Sequence, residues 1–215
     1  MKKNIDIKEL PSVLPIFPLP GAIVLPNGSL PLNIFEPRYI SMVENVLGTH
    51  RIIGMIQPIS DIGNEQKLYP IGCAAKIVAF SETSDNRYLI ELKGIIRFQV
   101  IKELRGINGY RNVQPNWQKF KEDLTFDFKN ININNLLEQL KVYFINNNIN
   151  VDFSELSKIP SEQIISAIPQ ICTFKTNEKQ AILEAKNTSE RVDVLISLLK
   201  MNLLEENENS DETIN

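Results

Sequence analysis

Leu14-Pro15-Ile16-Phe17-Pro18-Leu19-Pro20-Gly21, followed by Leu30-Pro31-Leu32-Asn33-Ile34-Phe35-Glu36-Pro37-Arg38-Tyr39, sets the character of the first half of the chain. Short apolar runs at residues 13–17, 23–25 and 30–34 are cut by Pro18, Pro20-Gly21, Pro26 and Asn27-Gly28. Proline has no amide to donate, so these runs predict short strands at sheet edges or corners. A helix is predicted over residues 36–47. Pro37 suits its first turn, Tyr39, Ile40, Val43 and Leu47 recur at helical spacing, and Gly48 ends it.

The strand signal continues to Pro115. Residues 52–57 are an unbroken apolar run, which predicts a strand buried on both faces, and residues 61–68 read as a polar loop. Runs at 73–80 and 88–92 flank a hairpin turn whose Ser84-Asp85-Asn86 centre tolerates positive φ. Gly94 separates the second of these from a further strand at 96–104, and a bulge there would let the sheet curl. The turn Arg105-Gly106-Ile107-Asn108-Gly109 leads to a last strand at 110–115. Many short strands with bulges and prolines predict a curled, barrel-like sheet over residues 12–115.

After Pro115 the period changes. Residues 116–130 read as a linker that Trp117 and Phe120 pin to one side. Ile133, Leu136, Leu137, Leu140 and Phe144 then form one stripe of an amphipathic helix. A second helix starts near Ser161 with Ile164, Ile165, Ile168 and Ile171. Pro169 cannot donate to the Ile165 carbonyl, so a kink or an early stop is expected there. Asn177 with Gln180 reads as the cap of a third helix over 178–186. Asn187 with Glu190 caps a fourth, striped by Val192, Leu195, Ile196, Leu199 and Leu203. Residues 131–204 thus read as a small antiparallel bundle, and the acidic residues 205–215 as a disordered, frayed tail.

Composition excludes several classes. With 43% hydrophobic and 23% charged residues, the chain is not of the intrinsically disordered type. Its 215 residues suffice for one large domain or two small ones. A net charge of -3 gives no electrostatic reason to expect a polyanionic partner. Lys2 and Lys3 precede Asn4, Asp6 and Glu9 instead of an apolar run, so no secretory signal is expected. No stretch approaches the roughly 20 apolar residues of a membrane span, and the chain reads as cytoplasmic. Cys73 and Cys172 lie outside any Cys-x-x-Cys unit and read as small buried hydrophobes. His50 is the only histidine; a histidine-ligated metal site or a Ser-His-Asp triad has no foundation, and His50 reads as a solvated residue at a helix end. The abundance of Asn, Ile and Lys suggests an AT-rich bacterial genome.

The two opening stretches belong to an ordered set. It continues with Ile53-Gly54-Met55-Ile56-Gln57-Pro58, Gly72-Cys73-Ala74-Ala75-Lys76-Ile77, Tyr88-Leu89-Ile90-Glu91-Leu92, Gly94-Ile95-Ile96-Arg97-Phe98 and Glu178-Lys179-Gln180-Ala181-Ile182-Leu183-Glu184. In this order the set resembles the amino-terminal substrate-binding domain of the Lon protease family over residues 12–204. The resemblance implies an α+β fold: a PUA-like curled β-barrel domain followed by a C-terminal α-helical bundle. It also implies substrate recognition, and in full Lon proteases a part in oligomer assembly. The family's catalytic signatures are missing. No Gly is followed by Lys, so the phosphate-cradling loop of an ATPase is absent. The Gly-Pro-Ser-Ala-Gly context of the family's Ser-Lys proteolytic centre is absent as well. The expected protein is therefore a stand-alone, non-catalytic protein- or peptide-binding module, not an enzyme, with no cofactor and no metal.

Phe35, Glu36, Arg38 and Tyr39 are the candidate peptide-binding rim, with Arg38 able to grip a carboxylate bidentately. A purely structural role for the same cluster has Glu36 accepting amides at the helix start, Arg38 pairing with a nearby acid and Tyr39 packing inward. Asn33 stands where family members often carry His, which removes a titratable group from that strand. The expected partners are unfolded or extended polypeptide segments, with a protease or a chaperone as a conceivable companion. Two other classes stay open. One is a regulatory or assembly module with a dedicated folded partner. The other is a PUA-like RNA binder using Lys76, Arg87, Lys93, Arg97, Lys102, Arg105 and Arg111, although Glu82, Glu91 and Glu103 dilute that patch.

Overall fold

The proline-cut runs become β1 (Leu14–Pro18) and β2 (Ser29–Ile34) in the computed structural model, which describes residues 5–59, 66–104, 106, 109–125, 131–156 and 158–212, with side chains to residue 204. Residues 23–25 form no strand but are buried. Two compact units are present, Met1–Phe126 and Asp127–Asn215, and the fold is of the α+β class.

In the first unit, α1 (Pro37–Leu47) opens with its proline in the first turn and closes at Gly48, as its sequence predicts. β3 (Ile52–Ile56) is buried along its whole length. β4 (Ile71–Glu82) and β5 (Tyr88–Leu104) form a long hairpin, and β6 (Arg111–Asn116) follows. The hairpin turn contains Asn86 at φ 59, the left-handed conformation that Asn tolerates. The strand order is β2-β5-β4-β3-β1-β6, with β5 also pairing β6. The ladders therefore run in a cycle, β5–β4–β3–β1–β6 and back to β5, with β2 added outside it. β1 and β3 are parallel and the other pairs antiparallel.

The strands depart from the sequence expectation in two ways. Prolines do not confine their strands to edges, because β1, carrying Pro15 and Pro18, lies between β3 and β6. The two ladders are staggered: Leu14 to Ile16 pair with β6 and Ile16 to Pro18 with β3. Each proline is thus register-paired with one neighbour alone, so its missing amide removes at most one ladder bond. Nor are the strands all short, since Gly94 does not end β5. The register jumps there, with Ala74 opposite Ile96 but Ala75 opposite Gly94, so Ile95 is an extra bulged residue. A second jump leaves Val78 unmatched on β4, and a third leaves Ile101 unmatched on β5. Bulges bend a strand without ending it, which lets β5 serve β2, β4 and β6 in turn. Gly94 is also where the chain crosses itself. A Cβ added there would lie 2.0 Å from the Leu25 carbonyl oxygen, and Gly94 exchanges backbone hydrogen bonds with Asn27 and Gly28.

The segment read as a linker, residues 116–130, is packed where it is described. Gln118–Leu124 is a 3-10 segment. Asp123 receives the Arg97 guanidinium of β5 at 2.9 Å on each carboxylate oxygen, and the Arg97 amide at 3.0 Å. The Phe120 ring lies 4.3 Å from that guanidinium. The Trp117 indole donates to the Pro11 carbonyl at 3.1 Å and meets Phe98 edge-on. Burial of an arginine requires such a complete set of partners. Residues 126–130 lie outside the described residues, as does most of the 61–68 loop.

The second unit holds α2 (Asn134–Asn146), α3 (Phe153–Leu156), α4 (Ser161–Ile171), α5 (Thr176–Glu184) and α6 (Thr188–Glu212). The α2 stripe is buried at Leu136, Leu140 and Phe144, joined by Tyr143. α4 stops two residues after Pro169, and Ile171 at its end is exposed. α5 starts earlier than its sequence predicts: Glu178, not Gln180, reaches back to accept the Lys175 amide at 2.7 Å. α6 is capped as expected, the Asn187 side chain accepting the Glu190 amide at 2.9 Å. It packs on α2 and α5 through Val192, Leu195 and Leu199. Its helical backbone runs to Glu212, through the stretch read as a frayed tail from Glu205; the side chains of that stretch lie outside the described residues.

Candidate functional site

Where the pairing stops, apolar side chains meet solvent. Among the described residues β2 has β5 as its only strand neighbour, whereas every strand of the cycle has at least two. Beyond Ile77, β4 likewise has β5 alone, because its ladder with β3 covers only Cys73 to Lys76. The result is a three-stranded arm, β2-β5-β4, with two open edges. On one face Leu89 lies between Asn33 and Ser81, and Glu91 between Pro31 and Ala79. Leu89 is 46% exposed and the bulged Val78 54%. The other face is anchored: Tyr88 donates to Glu44 of α1 at 2.9 Å, and Phe80 meets Tyr88 edge-on.

The four rim residues divide at the junction of β2 and α1. Phe35, just past the last β2 pair, is 61% exposed, with the Arg87 guanidinium 5.8 Å from its ring. Tyr39 turns inward against Phe17, ring centres 4.1 Å apart, and is not available as a rim. Glu36 makes no side-chain cap to the helix amides. Instead it pairs with Arg38, at 3.0 Å from Nε and 2.8 Å from Nη2. With Pro37 at the first helical position one amide is already missing, and the carboxylate is drawn to the guanidinium.

Arg38 stacks over the Tyr39 ring at 4.6 Å and lines a groove of about 850 Å³ between the β3–β4 connection, β5 and β6. Arg111 contributes another wall, held by two 2.6 Å hydrogen bonds to Glu103 and a 3.0 Å bond to the Gln66 carbonyl. Both guanidiniums act on Tyr39: burial pushes its hydroxyl up, while Arg38 and, more weakly, Arg111 pull it down. No single stretch of sequence announces this groove, because its lining comes from four separate segments.

Other candidate chemistry is sparse. Among the described residues no group of three or more His, Cys, Asp and Glu is placed to hold a metal ion. Cys73 and Cys172 are both buried, and burial pushes the Cys172 thiol up to about 12, which keeps it protonated and unreactive. His50 is only partly solvated, less than its sequence position suggests. It is half-buried, its Nδ1 accepts the Ile52 amide at 3.0 Å, and burial lowers its pKa. Of the basic residues considered for RNA, Arg97 is buried in its ion pair and Arg111 is engaged by Glu103, while Arg105 lies outside the described residues. No described helix is long and apolar enough to cross a membrane.

Comparison with known proteins converges on one family. The family model of the ATP-dependent protease La (LON) substrate-binding domain matches residues 13–201. A Lon protease of Heliobacterium modesticaldum is 25% identical over 224 residues, covering 95% of this chain and 26% of that protein. A Lon protease of Dictyoglomus thermophilum is 26% identical over 201 residues, covering 86% of this chain and 24% of its own length. The chain thus spans about a quarter of the length of these relatives. Among solved structures, the Lon N-terminal domain protein of Xanthomonas campestris superposes with a TM-score of 0.62 at 17% identity, covering 86% of this chain and 97% of that one. The N-terminal domain of a Mycobacterium avium complex Lon protease gives 0.61 at 14% identity, over 87% and 98%. These two likenesses concern the fold.

Proposed function

We propose that this chain, which belongs to the Lon substrate-binding domain family, recognises unfolded or extended polypeptide segments and performs no catalysis itself. The observation that carries the reading is the one-sided strand β2 beside exposed Phe35 and Leu89. An extended segment added to such an edge gains main-chain hydrogen bonds with little demand on sequence, while apolar flanks take its alternate side chains. The open edge is otherwise a liability, which proteins cover or blunt. Pro31 and exposed Asn33 on β2 discourage permanent pairing, which suits reversible capture. We read the cycle of strand pairings as a PUA-like, curled barrel, and the arm as the part of the sheet that remains outside it. The absence of the family's nucleotide and proteolytic signatures from these residues supports a recognition role alone.

Titration of a labelled, permanently unfolded protein against the chain tests this. Saturable binding with a Kd in the micromolar range, roughly -8 kcal/mol, is expected, with little change between low and moderate salt. Phe35→Ser combined with Leu89→Ser should weaken it about tenfold, since each removes exposed apolar area from the contact. Absence of saturable binding at about 100 μM, some hundredfold above the expected Kd, sinks the reading. A single protein captured tightly in its folded state would instead identify a dedicated partner. Retention on RNA that collapses with salt would identify a nucleic-acid binder. Steady ATP turnover or casein cleavage that copurifies with the chain would refute the non-catalytic role.

A further inference from the structure

The groove beside α1 is lined by other residues than the apolar arm, and its described charged residues are three cations and one acid. Arg38 comes from the start of α1, Lys67 from the β3–β4 connection and Arg111 from the head of β6. Among the described residues Glu103 is the only acid in the lining, and it is already neutralised by Arg111. Two cations are left. Lys67 is exposed and has no ion pair among the described residues. Among the described residues Arg38 has Glu36 as its one acidic partner, in a pair whose side chains are 52% and 45% exposed. Exposed pairs of this kind are worth little and exchange readily for a better partner. The Arg38 guanidinium is meanwhile fixed over the Tyr39 ring, so the planar fork that matches a carboxylate is pre-oriented. The lining also includes the apolar side chains of Ile59, Leu68 and Val100, and at about 850 Å³ it has room for a few residues of an extended chain.

We propose that this groove is a carboxylate subsite for the captured polypeptide, taking an acidic group bidentately on Arg38 with Lys67 as the second cation. Apolar side chains beside that group rest on Ile59, Leu68 and Val100. The proposal rests on the polypeptide-recognition reading and adds a chemical preference to it: among extended segments of equal apolarity, those bearing a carboxylate bind best. The carboxylate has two sources, the free end of a chain or an Asp or Glu side chain.

Three labelled peptides of one apolar sequence, about a dozen residues to exceed the groove's length, separate the outcomes on the whole chain. One ends in a free acid, one is amidated, and one is amidated with a single central Glu. The acid-bearing peptides should bind roughly tenfold more tightly than the neutral one, the size expected of a charge-assisted hydrogen-bond pair. The free-acid peptide alone gaining would identify a chain end as the ligand, and both gaining would identify any carboxylate. Lys67→Gln and Arg38→Gln should each remove most of the gain, and Lys67→Arg should keep it. Lys67 is exposed on a loop, so its variants test the proposal even where Arg38→Gln perturbs α1. Phe35→Ser should weaken all three peptides alike. Equal binding of the three, or a gain that survives Lys67→Gln and Arg38→Gln, overturns the carboxylate subsite and leaves the recognition reading standing. Failure of all three to bind overturns both.

Discussion

Within the single strand β4, Ile71 to Ala75 are all buried, whereas Val78 to Glu82 are all exposed. The two halves share a backbone and a partner, β5. What differs is the other side: Cys73 to Ala75 of the first half also pair β3, and among the described residues the second half has no second strand. Apolar content does not explain the contrast, since Val78 and Phe80 are as apolar as Cys73 and Ala74. Along β4 enclosure ends one residue past its ladder with β3, and the apolar surface available to a partner lies on the three-stranded arm beyond that point. The enclosed half should therefore be sensitive to small changes, and the open half tolerant of large ones.

Asp123→Ala should have the largest effect on stability. It strips the carboxylate from the buried Arg97 guanidinium, whose side chain is 3% exposed. Removing one partner of a buried ion pair costs about 3–5 kcal/mol, read as a lowered urea midpoint. A loss below about 1 kcal/mol, the value of a surface pair, would mean that the enclosed end is wetter than its geometry implies. Gly94→Ala comes next. Its new Cβ would press on the Leu25 carbonyl oxygen, backbone that cannot swing aside as a side chain can. Overpacking at such a site costs about 2–3 kcal/mol, and Gly94→Ser should be no milder.

Phe35→Ser and Leu89→Ser should shift the same midpoint by no more than about 0.5 kcal/mol each, although both replace large apolar side chains. If either variant loses 2 kcal/mol or more, as a core truncation does, the arm is covered in the folded protein and the contrast within β4 dissolves. The pair of measurements, stability unchanged and polypeptide binding weakened, is what an exposed recognition face predicts.

Local signals in the sequence were good guides wherever the deciding atoms are neighbours along the chain. Pro37 and the spacing of Tyr39 and Val43 place α1, Ser84-Asp85-Asn86 places the hairpin turn, and Asn187 with Glu190 places the start of α6. Features decided across the chain were not legible. Gly94 reads as a strand break, but Leu25, far off in sequence, makes it a crossing point inside a continuous strand. Arg97 reads as one of a row of wet basic residues until Asp123 is brought beneath it. The rim cluster shows both cases at once. Tyr39 packs inward as helical spacing suggests, and Arg38 pairs with an acid two residues away, whereas its place in a groove depends on Gln66, Lys67 and Arg111, which no local pattern ties to it.

The smallest effect concerns the border between the two halves of β4. Arg51, at φ 60, ends the turn before β3, and its carbonyl accepts the Ile77 amide where β4 leaves its second neighbour. His50 stands beside it, half-buried, with Nδ1 accepting the Ile52 amide. Protonation would turn that acceptor into a donor facing a donor, and burial independently lowers the folded pKa. The unfolded chain takes up the proton near the ordinary histidine value of about 6.5. Folded stability attributable to His50 is thus fully present above that pH. It falls as pH drops below it, and levels off once the folded imidazole also titrates. The contribution should be modest, under about 1 kcal/mol, because partial exposure screens it. Urea unfolding at pH 7.5, 6.5 and 5.5 should show the wild type weakening over this range, and His50→Gln, which keeps an acceptor but cannot titrate, weakening less. His50 is the sole histidine, so the difference between the two profiles isolates it. Parallel profiles would show that the border is not held by this bond, and that the open half of β4 begins before Ile77.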